Sequence, residues 1–91
     1  MPKKPRNLHR HASRRMAERY GLVVTGKDLE DMETQIREGK SEYLGAESLN
    51  ISRHVVTFNG VPIVVLYNRK LHAICTALPE GGDAQEVALF V

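Results

Sequence analysis

The sequence predicts an α+β domain in which two N-terminal helices pack on a three- to four-stranded antiparallel sheet. Three observations carry that expectation. Leu8, Ala12, Met16 and Tyr20 recur every fourth residue, which draws one apolar stripe down a helix. Thr25 and Asp28 form a capping pair ahead of a second amphipathic stretch. Beyond Tyr43 the period falls to two, and Asn59-Gly60 separates two runs rich in β-branched residues.

The first helix is predicted from about Leu8 to Tyr20, where Gly21 supplies the left-handed residue that ends it. Thr25 caps the second. Its acidic residues Asp28, Glu30 and Asp31 lie near the start, where the helix dipole favours them. Leu29, Met32 and Ile36 make the buried stripe of this helix and Gly39 stops it. Ile51–Phe58 and Val61–Tyr67 then read as strands, joined by a two-residue type I′ turn that sets Phe58 opposite Val61, His54 opposite Val65 and Ser52 opposite Tyr67. A turn at Arg69-Lys70 leads to a strand Leu71–Leu78, with Tyr67 expected opposite His72, Val65 opposite Ile74 and Ile63 opposite Thr76. Pro79 halts that strand, and a weaker first strand lies near Tyr43 to Glu47.

This register sorts the side chains. Ser52, His54, Val56, Phe58, Val61, Ile63, Val65, Tyr67, His72, Ile74 and Thr76 share one face, which holds the larger apolar groups and is where the helices belong. Its polar members are expected at the margin of the helical cover, beside the core. The opposite face, with Arg53, Val55, Thr57, Pro62, Val64, Leu66, Ala73, Cys75 and Ala77, is lightly apolar, suited to cover by the tail Gln85–Val91 or by a partner.

With 91 residues there is room for one core and for no separate substrate or cofactor domain. The organisation expected is a basic arm at 1–7, the α+β domain at 8–79 and a tail at 80–91. A single cysteine, Cys75, allows no internal disulfide, and no apolar run follows the basic N-terminus, so a cytoplasmic protein without a membrane span is expected. The net charge of +2 divides unevenly, with +6 over residues 1–19 and −4 over the rest. Such a basic end suits phosphate-bearing partners, RNA above all, and Lys3, Lys4, Arg6, Arg10, Arg14 and Arg19 are its candidate contacts.

His11 and Arg15 stand one helical turn apart and Arg19 another turn on, bringing an imidazole and two guanidinium groups to one helix face. Such a set suits RNA cleavage without a metal. Imidazole takes or gives a proton near neutral pH, and arginine's planar fork matches the charge that builds on a phosphorane. Cys75, flanked by aliphatic neighbours, reads as a small core residue. No cofactor is expected and no metal site either. His9 and His11 point to different sides of the helix with no carboxylate at ligand spacing, and Gly81-Gly82 lacks the strand and helix of a phosphate loop.

The run from Leu8 to Gly21, with His11, Ala12, Arg15, Met16 and Arg19, resembles the opening helix of small toxin-like ribonucleases of the barnase, EndoU, colicin D and RelE superfamily. The likeness continues through the capped second helix, Ile63–Tyr67 and Ile74–Pro79. It implies a nuclease-like fold, with His11 and Thr76 at the active site and Arg15 beside them. Thr76 would offer its hydroxyl to a phosphate oxygen, and Tyr67 and His72 would position RNA or supply a second acid or base. His9 rivals His11, and the sequence does not choose between them.

The reading is thus a small metal-independent endoribonuclease of toxin type, as used by phages and mobile elements, that cuts RNA by attack of its own 2′-hydroxyl. The alternative is a non-catalytic module of the same fold that binds nucleic acid or a host or phage protein. An antitoxin bound through the tail or a sheet edge is compatible with the first.

Overall fold

The computed structural model describes residues 6–79. Two helices, α1 (Arg6–Tyr20) and α2 (Gly26–Arg37), precede four strands, β1 (Glu42–Ala46), β2 (Ile51–Phe58), β3 (Val61–Asn68) and β4 (Ala73–Leu78). The strands form one antiparallel meander in the order β1-β2-β3-β4. The expected α+β class is therefore the observed one. The arm residues Lys3 and Lys4 and the tail Gln85–Val91 lie outside the described residues.

Each helix ends as its sequence dictates. Gly21, at φ 66°, returns its N–H to the Ala17 carbonyl at 3.1 Å and closes α1. In α2 the Asp28 N–H donates to Thr25 Oγ1 at 3.2 Å while the Thr25 N–H donates to Asp28 Oδ2 at 2.9 Å, a reciprocal capping box. At its far end Lys40 N–H reaches Gln35 O and Gly39 N–H reaches Ile36 O, the paired bonds of a Schellman stop.

The β2–β3 hairpin has the register that its turn requires: Phe58 faces Val61, His54 faces Val65 and Ser52 faces Tyr67. The core follows on the face so defined. Ala12, Met16, Leu29 and Met32 from the helices meet Val56, Ile63, Val65, Tyr67, Ile74 and Ala77 from the sheet. A smaller cluster on the other face joins Ile51, Leu66, Cys75 and Leu78, with Leu8 and Val64 against it.

Strand β4 departs from the expected pairing. An Asx turn, in which Asn68 Oδ1 accepts the Lys70 and Leu71 N–H groups at 2.9 Å, lengthens the connection, and His72 adopts a left-handed φ of 53°. Strand β4 therefore starts at Ala73, and Tyr67 pairs with Ile74 rather than His72. A bulge then makes Leu66 face Thr76 and Val65 face Ala77. The extra residue exchanges the sides of Thr76 and Ala77. Ala77 joins the helix-covered core, and Thr76 leaves the face on which it was expected.

Side chains tie the helices to this strand. The buried Glu33 carboxylate accepts the Ile74 N–H at 2.7 Å and contacts His9 Nε2 at 2.9 Å, while Arg19 Nη1 donates to the Ala77 carbonyl at 2.7 Å. The Tyr20 hydroxyl donates to Leu78 O at 2.5 Å and accepts the Val64 N–H at 3.1 Å, bridging β3 and β4. A carboxylate without solvent is tolerated only with such partners.

Candidate functional site

The row of residues on α1 is partly built into the scaffold. Arg15 Nη1 pairs with Glu18 Oε2 at 2.8 Å, and Arg19 is engaged with β4 as described. His11 is half-buried, and Arg10 and Arg14 are exposed, so the last two keep the solvent access that phosphate contacts need. The Thr76 side chain has no exposure at all and stands opposite Leu66. Neither of the two clefts described below is lined by His11, Arg15 or Thr76. His9 is held to Glu33 and braces α1 against α2.

The polar groups of the helix-covered face converge elsewhere. Where the sheet extends past the C-terminal end of α2, a cleft of about 370 Å³ is lined by Ile36, Arg37, Tyr43, Ser52, His54, Tyr67, Arg69 and His72. The β2–β3 register places Ser52 beside Tyr67, and the β1–β2 register sets Tyr43 opposite His54. The long turn after Asn68 lifts Arg69 and His72 to the rim.

Within the cleft the His54 imidazole is held at both nitrogens. Ser52 Oγ lies 2.7 Å from Nε2 and Ser41 Oγ lies 3.1 Å from Nδ1. Tyr43 packs tilted against the ring at a centroid distance of 5.4 Å, and Tyr67 meets it edge-on at 5.9 Å. Burial, and then the nearby Arg69 charge, push the His54 pKa below its ordinary 6.5, which favours the neutral ring at neutral pH.

Tyr67 is shifted in the opposite sense. Its hydroxyl lies 3.4 Å from His72 Nδ1, and burial raises its pKa above 10.0, with Arg37 opposing and Glu33 assisting the change. The phenol stays protonated and able to donate. His72, whose side chain is exposed, reaches the pair from a backbone conformation that L-residues other than Asn, Asp and His seldom adopt.

The two arginines of the cleft are anchored. Arg69 Nη2 donates to Ser48 O at 2.9 Å and also to Leu49 O, which binds the turn after β3 to the turn after β1. Arg37 Nη2 donates to Thr34 Oγ1 at 3.1 Å. Guanidinium groups fixed in this way present their remaining donors without ordering a long side chain at the moment of binding.

The sequence groups Ser52, His54, Tyr67, His72 and Thr76 as the polar members of one face; the cleft brings the first four together, while Thr76 stands opposite Leu66 and outside it. Arg37, Ser41, Tyr43 and Arg69 were missed. Tyr43 needed the β1 register, and the arginines and Ser41 come from a helix end and connections that carry no periodic signal. Glu33 was missed as well, although it follows Leu29 by four residues and so falls on the apolar stripe of α2.

A second concavity, on the opposite side, is lined by Tyr20, Val55, Val61, Pro62 and Val64 and lacks ionisable groups other than the Tyr20 phenol, which is already bonded. Among the described residues no helix is long and apolar enough to cross a membrane, and no group of three or more His, Cys, Asp or Glu is arranged to hold a metal ion. Comparison with protein-family models, with curated proteins and with solved structures finds no match to the chain. The fold and the cleft define a small α+β protein in which a recess past the end of α2 presents imidazole, phenol and guanidinium groups together. Both cations and both histidines of that recess come from residues outside α1.

Proposed function

We propose that the protein is a metal-independent endoribonuclease that cleaves by 2′-hydroxyl transesterification, with its reaction centre in the His54 cleft. The observation that carries this reading is the opposed tuning of two adjacent groups. His54 is biased toward its neutral form and Tyr67 toward its protonated form, and two anchored guanidinium groups line the same cleft. Neighbouring titratable groups pushed apart in this way supply an acceptor and a donor at one pH.

In the proposed reaction, Ser41 Oγ takes the proton of the substrate's 2′-hydroxyl as it passes its own to His54 Nδ1, 3.1 Å away. The O2′–P bond forms, and Arg37 and Arg69 offset the charge gathering on the phosphoryl oxygens. The P–O5′ bond then breaks, and the leaving oxygen takes the proton of Tyr67 Oη, which lies 3.4 Å from His72 Nδ1 and regains a proton from solvent through that contact. The products are a 2′,3′-cyclic phosphate and a 5′-hydroxyl. Arg10 and Arg14, exposed on α1, would hold backbone phosphates outside the cleft. The resemblance of the first helix to toxin-like ribonucleases points to the same chemistry, in a cytoplasmic setting where RNA is abundant, although it favours His11, Arg15 and Thr76 for the site.

A non-catalytic binding role is the second reading. Leu49, 89% exposed, with the exposed Tyr43 and Leu44, gives the β1 margin an apolar surface that would suit a protein partner, an antitoxin included.

Incubation with mixed transfer and ribosomal RNA in EDTA separates these readings. The ribonuclease yields fragments ending in cyclic phosphate, lost in His54→Ala and His72→Ala and retained in His9→Ala/His11→Ala. The converse pattern moves the site back to α1, and intact RNA favours the binding module.

A further inference from the structure

Tyr43 projects from β1, the strand that lies beyond the helical cover, and its side chain is 59% exposed. The His54 imidazole packs against the ring at 5.4 Å with the two planes tilted by 59°, and the residue also lines the cleft that contains Arg37 and Arg69. A supported aromatic ring open to water beside two anchored cations matches the elements of a single-stranded nucleic acid site, in which a base lies on a π-face and the adjoining phosphate meets the cations.

We propose that Tyr43 is the stacking platform for one unpaired base, and that this cleft therefore accepts a nucleotide from a single strand and not from a duplex. The proposal rests on the ribonuclease reading for the identity of the polymer, and it adds the part of the substrate that the cleft grips. A volume of about 370 Å³ falls at the small end of ligand pockets and suits one nucleotide rather than a helix. Within a duplex the face of each base is covered by its neighbours, so Tyr43 would find no partner. Every base has a π-face, so the contact selects for the presence of a base and for strand state, with little regard to which base is present.

The test uses the full chain and fluorescein-labelled, uncleavable 2′-O-methyl oligomers, read by anisotropy. One is a short oligouridine, the second an abasic oligomer with the same number of phosphates, and the third a blunt duplex. The expected result is that the oligouridine binds at least about 10-fold more tightly than the abasic oligomer or the duplex. Tyr43→Leu should erase that preference and Tyr43→Trp should keep or increase it, with circular dichroism confirming that each variant is folded. Equal affinity for oligouridine and abasic oligomer, a preference that survives in Tyr43→Leu, or no binding at all overturns the proposal. Cleavage of natural RNA is scored separately. A base preference without cutting removes the catalytic reading and leaves the platform, whereas cutting without a base preference does the reverse.

Discussion

The side chain of Glu33 accepts the backbone N–H of Ile74 at 2.7 Å with no exposure to solvent, so an acidic side chain of α2 completes the hydrogen bonding of a strand. The same Oε2 atom lies 2.9 Å from His9 Nε2, which links α1, α2 and β4 through one group. Replacing Glu33 with Ala would strand a buried donor and open a void. A loss of about 2–3 kcal/mol is expected, read as a lower urea midpoint with an unchanged slope. A loss below about half a kcal/mol would show that the bond contributes little.

His54 makes stability depend on pH. Its folded pKa lies below the ordinary 6.5, so between the two values the unfolded chain binds more protons than the folded one. The contribution is complete above pH 6.5 and is lost as the pH falls through that window. Urea unfolding at pH 7.5 and at pH 5.0 should show a steeper decline for the parent than for His54→Gln, whose side chain does not titrate. Parallel declines would mean that other groups govern the acid response. The cleavage rate should also fall on the acid side as His54 becomes protonated.

His72 combines a proposed chemical role with an unfavourable backbone conformation, at φ 53°. Glycine accepts that conformation without a Cβ clash, and alanine does not. His72→Gly is expected to be more stable than His72→Ala by about 1 kcal/mol, with both lacking cleavage activity. Equal stabilities would indicate that the turn relaxes in the variants, and retained cutting would remove His72 from the mechanism.

The fold was legible wherever neighbours in sequence determine the structure. The Leu8–Tyr20 stripe, the Thr25-Asp28 box, the Gly21 and Gly39 stops and the Asn59-Gly60 turn act over a few residues, and each is found as expected. Strand β4 was misread because its position depends on a bulge and on a left-handed histidine, and neither has a signature in Ala73–Leu78. That one step decided the fate of Thr76, which the resemblance placed at the active site and the pairing buries against Leu66. The cleft was legible by half. The hairpin register grouped Ser52, His54 and Tyr67, while Arg37 stands at the last turn of α2, bonded to Thr34, and Arg69 owes its place to tertiary bonds with Ser48 and Leu49.

Tyr20 offers a test of the bridge between β3 and β4. Its hydroxyl serves the Val64 N–H and the Leu78 carbonyl, and Tyr20→Phe would leave both without that partner. A cost of about 1–3 kcal/mol is expected in chemical denaturation, together with faster hydrogen exchange at the Val64 amide. Unchanged exchange at that amide would show that the strands close directly onto each other.

Cys75 is buried, and burial pushes its thiol up to about 11. The folded protein should not react with a thiol reagent at pH 8, whereas the denatured chain should react once per molecule. Rapid labelling in the absence of denaturant would reveal frequent opening of the smaller core.

Among the described residues the two outer strands of the sheet are finished differently. On β4 the Ile74 N–H is taken by Glu33 and the Ala77 carbonyl by Arg19, whereas β1 is short and mostly exposed. Growth of a β-ribbon requires units that can be extended at both ends, and a unit with one sealed end acts as a chain terminator. If copies of this domain pair strand to strand through β1, the second copy presents its own sealed β4 rim outward, and assembly by strand addition halts at two.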